Sequence, residues 1–332
     1  MWNKIKRSAL HGFGRMSAIL LFLLAVLIFF SVYWSNEPAR FSPEELTRGA
    51  VDEARDSDFE GATSIATLIN VAETLLNKPG GFLSNDIMPP GIYLDNVPNW
   101  EFGVLVQVRD FSRAFRESFS RSQSQSTEDI DLIVAEPLFN FTTDSWIFPA
   151  SESEYRQAVS SLKSYQGRLA DPDNTEAQFY ARADNLVNWL SNVESRLGSL
   201  SQRLSASVVQ EREDLAGELQ EGSQKKQEVL VKTPWLEIDN VFFEARGATW
   251  ALLHFLQAIQ ADFSDVIDDK NAGPSVRQII RELESSQEAL VFPVVLNGGG
   301  YGLFANHSLT IANYISRANA AIIELRNLLS QG

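Results

Sequence analysis

From Met16 to Trp34 the chain runs apolar for nineteen residues, "MSAILLFLLAVLIFFSVYW", without a charge. As a helix rising ~1.5 Å per residue this stretch spans about 28 Å, close to the ~30 Å hydrocarbon thickness of a bilayer. Tyr33 and Trp34 close it with rings suited to the lipid–water interface. No second stretch of this kind follows, since "VFFEARGATWALLHFLQAIQA" is interrupted by Glu244 and Arg246.

Beyond the span the pattern becomes amphipathic. Ile65, Leu68, Ile69, Ala72, Leu75 and Leu76 recur at three- and four-residue steps, one face of a helix that Pro79, Gly80 and Gly81 stop. "FLSNDIMPPGIYLDNVPNW" holds too many prolines for a continuous helix, yet is too apolar for an idle linker. It reads as a loop pinned to the core. "WEFGVLVQVRDFSRAFRESFSR" alternates like a strand at its start, but Phe111, Phe115 and Phe119 step by four and favour a helix. A polar break, "SQSQSTED", and a short segment bent at Pro137 lead to a helix expected from Ser151 or Ser153 to about Leu169.

The longest helical signal opens after "ADPDNTEAQ", with Asn174 or Thr175 as its cap. Leu186, Leu190, Val193, Leu197, Leu200 and Leu204 make a seam of four-and-three steps, and the helix is expected to continue, more exposed, through Val208, Leu215 and Leu219. The seam fits a bundle helix; a two-stranded coiled coil, and with it a homo-oligomer, is the alternative. Pro234 suits the first turn of the next helix, whose apolar residues cover more than one face and mark it as the most buried. "PSVRQIIRELESSQEAL" and "LTIANYISRANAAIIELRNLLSQG" complete the set, joined by an irregular "VFPVVLNGGGYGLFANHS". The expected fold class is therefore all-α: a transmembrane helix followed by a helical bundle with one long, partly coiled-coil-like helix.

Charge then sets the orientation. Lys4, Lys6, Arg7 and Arg15 precede the span and no acid accompanies them, so the positive-inside bias places residues 1–15 in the cytoplasm. Residues 16–34 form the anchor, 35–57 a juxtamembrane segment and 58–332 a domain outside the cytoplasm, periplasmic in a Gram-negative cell. A cleaved signal peptide is the rival reading, but "SVYWSNEPARF" puts bulky residues where a signal peptidase wants small ones. The whole chain carries a net charge of −15, although its first 34 residues are basic. A body this acidic repels phosphate backbones, which argues against nucleic acid as a partner.

Candidate chemistry is sparse. The chain has no cysteine, which removes disulfides, thiolate catalysis and cysteine-ligated metals. Of its three histidines, His254 sits on an apolar helix and reads as a hydrogen-bonded core residue. His307, with Asn306 and Ser308, reads as a helix cap. No H-E-x-x-H, G-x-S-x-G or phosphate-loop spacing occurs, and "GGGYG" reads as a break between helices. No cofactor or metal is expected. Glu244 and Arg246 suit a buried ion pair. An enzyme or binding protein for an envelope lipid or glycan would need carboxylates in a helical cleft, with His254, Glu244 or Asp262 grouped around open volume. A partner surface is expected instead on the proline-rich loop, at Phe82, Asn85, Asp86 and Trp100, and on the polar break, at Arg121, Gln123 and Gln125.

With the anchor, "NKPGGFLSNDIMPPGIYLDNVPNWEFGVLVQVRDFSRAF", "FSRSQSQSTED" and "NGGGYGLFANHS" in view, the chain resembles a family of single-anchor inner-membrane proteins of Gram-negative proteobacteria, a domain of unknown function. The resemblance implies location and architecture. It carries no activity across, and so no catalytic residues.

Overall fold

The computed structural model describes residues 2–51, 59–122, 127–208, 210–213, 228–290, 294–299 and 303–331. The elements in chain order are α1 (Trp2–Trp34), α2 (Pro43–Val51), α3 (Ala62–Asn77), α4 (Asn96–Ala114), α5 (Ile130–Phe139), α6 (Ser151–Leu169), α7 (Ala183–Ser205), β1 (Gln210–Glu213), β2 (Glu228–Val231), α8 (Ile238–Asp262), α9 (Ser264–Asp269), α10 (Gly273–Ser286) and α11 (His307–Ser330). The fold is all-α apart from the short antiparallel β1–β2 hairpin. Within α1, Arg15–Trp34 is long and apolar enough to cross a membrane, and the rest of the molecule buries none of it.

Helices α4 and α8 form the centre and run parallel. Trp100 meets Trp250 at 5.4 Å between ring centroids, Phe111 stacks on Phe255 at 4.3 Å, and Phe119 packs on Phe263 at 5.4 Å. Near their N-termini the two backbones touch. A Cβ at Gly103 would overlap the carbonyl oxygen of Glu244, and one at Gly247 that of Trp100. Only glycine permits this approach. As its pattern predicts, α8 is buried on several faces, from Phe242 through Leu252 and Phe255 to Ile259. Helices α3, α7, α10 and α11 pack around this pair, and α5 with α6 closes one side.

The seam of α7 is consumed inside the molecule. Leu186, Leu190, Val193, Leu197, Leu200 and Leu204 are all buried. Its polar flank pairs with α11, through Ser201 and Ser316 at 2.5 Å and through Arg326 and Glu194. The seam is therefore the interior of a bundle and is not offered to a second copy.

Three features depart from the hydrophobic pattern. Helix α7 starts at Ala183, not at Asn174. Asn174 instead closes a local turn, accepting from the backbone N–H groups of Glu176 (2.8 Å) and Ala177 (3.3 Å). The chain then stays extended so that Phe179 can enter a cluster of Phe115, Phe119 and Phe263. Burying that ring outweighs the helical preference of the segment. At the other end α7 stops at Ser205, and Gln210–Glu213 pairs with Glu228–Val231 where more helix was expected. "QERE" has no apolar face to bury as a helix, and the β-branched "EVLV" gives it a strand partner. The backbone N–H of Thr233 donates to the carbonyl of Ala206 at 2.9 Å and closes the excursion. Thirdly, Glu244 and Arg246 do not pair with each other. Glu244 takes Arg203 at 2.6 Å, and Arg246 takes Glu37 at 2.7 Å.

Two other expectations hold. Helix α6 begins at Ser151 and ends at Leu169. The Asn306 side chain caps α11 by accepting from the N–H of Leu309 at 2.8 Å. The glycine-rich break forms a backbone bridge between Asn297 and Asn306.

Candidate functional site at the end of the first helix

The chain leaves α1 at Trp34 and lies along α8. The Arg246 guanidinium reaches back to the Glu37 carboxylate at 2.7 Å and donates to the carbonyls of Glu288 (2.9 Å) and Ser286 (3.2 Å). Two turns further along α8, the N–H of Phe41 donates to His254 Nε2 at 3.1 Å, and the Phe41 ring stacks on the imidazole at 3.9 Å. His254 Nδ1 faces the Trp250 carbonyl at 2.7 Å. Since Nε2 accepts, Nδ1 carries the proton and the ring is neutral. Burial pushes the His254 pKa down to about 4, against the opposing pull of the Trp250 carbonyl. A charge clamp and a stacked ring thus fix residues 35–42 to the body.

A second buried network lies beside this clamp. Lys78, at the end of α3, contacts Glu101 on α4, and both side chains are almost wholly enclosed. The Glu101 carboxylate also accepts from the N–H groups of Leu83 and Ser84, each at 2.8 Å. Burial raises the Glu101 pKa, while Lys78 works against that rise. One carboxylate on α4 therefore holds the turn after α3, and that turn brings Gly80 against Trp34. With φ at 87°, Gly80 adopts a conformation that favours glycine.

Between the clamp and this network sits a cavity of about 490 Å³. Its walls come from α1 and its exit (Val32), the start of α4 (Asn96, Val97, Trp100), α8 (Phe243) and the segment after α10 (Leu290). Lys78 and Arg246 also border it, each already paired with a carboxylate. A second cleft, of about 410 Å³, separates α4 from α7. There Arg196 meets Asp110 at 2.8 Å and Arg203 meets Glu244 at 2.6 Å.

The sequence-predicted partner residues separate into three groups. Phe82 (4% exposed), Asn85 (6%) and Trp100 (2%) are interior. Phe82 packs edge-on against Tyr155 at 5.4 Å, and Asn85 donates to the Ser145 carbonyl at 2.8 Å and to Glu152 at 2.6 Å. They hold the loop, and the residues it exposes are Ile87, Met88, Ile92 and Tyr93. Asp86 is half-buried and accepts from the Met88 N–H at 3.1 Å. Arg121 is half-buried, 3.8 Å from Glu128. Gln123 and Gln125 lie outside the described residues.

The carboxylates and histidine weighed for catalysis have separate structural partners. Asp262 accepts from the first-turn N–H groups of α3, at Ser64 (2.6 Å) and Thr63 (3.3 Å), and burial raises its pKa. Glu244 pairs with Arg203, and His254 holds Phe41. Among the described residues, no three His, Asp or Glu side chains gather as a metal site would require.

Sequence reasoning missed the clamp. Glu37 is the first acid of the chain and Phe41 an isolated aromatic in a polar stretch, but their partners lie 209 and 213 residues away.

No curated protein and no solved structure matches this chain. Residues 6–332 match a bacterial family throughout, and the chain belongs to DUF2333, described as uncharacterized proteins conserved in bacteria.

Proposed function

We propose that this is a single-pass protein of the bacterial inner membrane, cytoplasmic at its N-terminus. In this reading its periplasmic body is a non-enzymatic interaction module of an envelope assembly. The observation that carries it is the clamp of Glu37 and Phe41 on α8, which holds the body at one orientation to α1. A freely tethered enzyme has no need of such a fixed pose, whereas a scaffold presents one face at a set height.

The distribution of exposed apolar side chains supports the same pose. Ile87, Met88, Ile92 and Tyr93 are joined by Trp146 and Phe148 in the loop that Asn85 grips, by Trp235 ahead of α8, and by Phe304 ahead of α11. These loops lead into or adjoin the N-terminal ends of α4, α8 and α11, beside the exit of α1, and suit a body resting on a bilayer surface. A separate exposed stripe, Ile130, Ile133 and Val134, runs at helical spacing on α5 close to Arg121 and Glu128. That stripe is our choice for the protein partner.

The test is photocrosslinking in living cells from a reactive residue placed at Ile130, Val134 or Tyr93. We expect a reproducible protein adduct from the α5 positions and lipid adducts from Tyr93. Absence of any protein adduct along α5, in cells where Tyr93 labels lipid, would remove the interaction reading. A reporter fused at the C-terminus checks sidedness independently.

A further inference from the structure

We propose that the cleft between α4 and α7 is a binding site for a short, uncharged oligosaccharide. The proposal goes beyond the interaction reading and is independent of it, since neither the α5 stripe nor Tyr93 lines this cleft.

The cleft is built as a polar trough. Gly103 and Ala248 leave no bulk where α4 meets α8, and α7 forms the opposite wall. Along α4 the lining runs from Phe102 to Arg113, about 16 Å at ~1.5 Å per residue. The volume, about 410 Å³, lies within the ~300–1,000 Å³ usual for small-ligand sites. Two carboxylates sit low in the trough, Asp110 with 6% of its side chain exposed and Glu244 with 12%. Each holds an arginine of α7 whose side chain is about half exposed, Arg196 at 2.8 Å and Arg203 at 2.6 Å. The guanidinium groups are thereby fixed in place. Asp110 takes Nε and Nη2 of Arg196, while Glu244 takes both terminal nitrogens of Arg203, so Nη1 of the first and Nε of the second keep donors to give.

Three polar side chains of the lining await a partner. Gln107 is only 2% exposed, yet its amide makes no hydrogen bond among the described residues, and it is not sealed away but opens on the cleft. Buried amides are rarely left so. Asn192 and Ser199 are exposed on α7 and likewise unpartnered among those residues.

This set selects the ligand by elimination. Each charge on the walls already has a counter-charge, Arg113 with Glu136 at 3.6 Å included, so an acid would have to displace a carboxylate to gain a full ion pair. An extended peptide adds to a sheet edge, and both walls here are helices; a helical peptide needs an apolar seam, which this trough lacks. What the lining asks for is a ligand with donors and acceptors side by side and no net charge. Neighbouring hydroxyls of a pyranose ring supply that pair to the Gln107 amide, one donating to its oxygen and the other accepting from its nitrogen. The C–H face of such a ring suits Phe102, an aromatic 39% exposed at the Arg203 end of the trough.

The experiment uses the full-length chain in phosphatidylcholine nanodiscs and follows cellotriose, maltotriose and chitotriose by saturation-transfer NMR. At least one trisaccharide is expected to bind. Ser199→Trp, which fills the trough from an exposed position, is expected to abolish that binding. Gln107→Leu keeps the side-chain volume and removes the amide, and is expected to weaken binding about tenfold, as loss of one buried hydrogen-bonding group allows. Ser199→Trp decides the matter by itself if Gln107→Leu fails to fold by circular dichroism. Binding of none of the three sugars, or binding that Ser199→Trp leaves unchanged, overturns the proposal. So does displacement of the bound sugar by inorganic phosphate or tetraglutamate, which would mark an anion site instead.

Discussion

Two clefts flank α4, similar in size and opposite in character. The one between α4 and α7 is walled by charge, and its arginines and carboxylates answer one another across it. Among the described residues, none of its lining side chains has a polar atom sealed from solvent without a partner. The cavity at the end of α1 is mostly apolar, and its charges are settled at its edges. Charge alone would direct attention to the α4–α7 cleft.

The largest expected effect tests whether the ionic floor of the α1 cavity is truly buried. Glu101→Ala leaves Lys78 enclosed without its counter-charge and frees the turn at Leu83 and Ser84. A loss of about 3–5 kcal/mol is expected in chemical denaturation, as for other broken buried pairs. A loss below ~1 kcal/mol would put this network on the same footing as a surface pair, and the contrast between the clefts would fail.

Acid titration probes the clamp next. The folded state keeps His254 neutral down to about pH 4, whereas an unfolded chain protonates it near 6.5. The stabilisation is therefore complete above pH 6.5 and fades as pH falls towards 4, by about 1.4 kcal/mol per unit and roughly 3 kcal/mol in total. Glu101 and Asp262, whose pKa values are raised, act in the opposite sense. The informative quantity is accordingly the difference between the wild type and His254→Phe across that range. Parallel curves would show that His254 is not held neutral.

Smaller effects separate the clefts directly. Asn96→Leu removes an unmet buried acceptor, so in lipid-free detergent it should raise stability by up to about 1 kcal/mol. Arg203→Ala removes a half-exposed partner in the α4–α7 cleft and should lower stability by about 1 kcal/mol or less, the usual worth of a solvated pair. Thermal or denaturant midpoints that moved the same way in both variants would erase the distinction.

Helical periodicity located α3, α6, α8, α10 and α11 well because their apolar stripes fit a core wherever that core is. It erred where a distant contact overrode a local preference. Asn174 looked like a cap and made a turn, because Phe179 gains more by joining Phe115, Phe119 and Phe263. Phe82 and Trp100 looked like a sticky surface because nothing local says which residues of a proline-rich loop turn inward. The same loop exposes Ile87, Met88, Ile92 and Tyr93 instead. The α1 cavity was not legible at all, since its lining is drawn from five separated segments.

Taken by itself, the amino-acid sequence determined the apolar length of α1, the charge bias around it and the all-α class, since each depends only on residues within a few turns of one another. Tertiary structure alone decided that Glu37 and Phe41 are held by α8, that the α7 seam faces inward, and that Trp100 and Asn96 share a cavity. Those facts depend on which helices meet. That is settled by backbone approach at Gly103 and Gly247 and by burial across more than two hundred residues of separation, which no local pattern encodes.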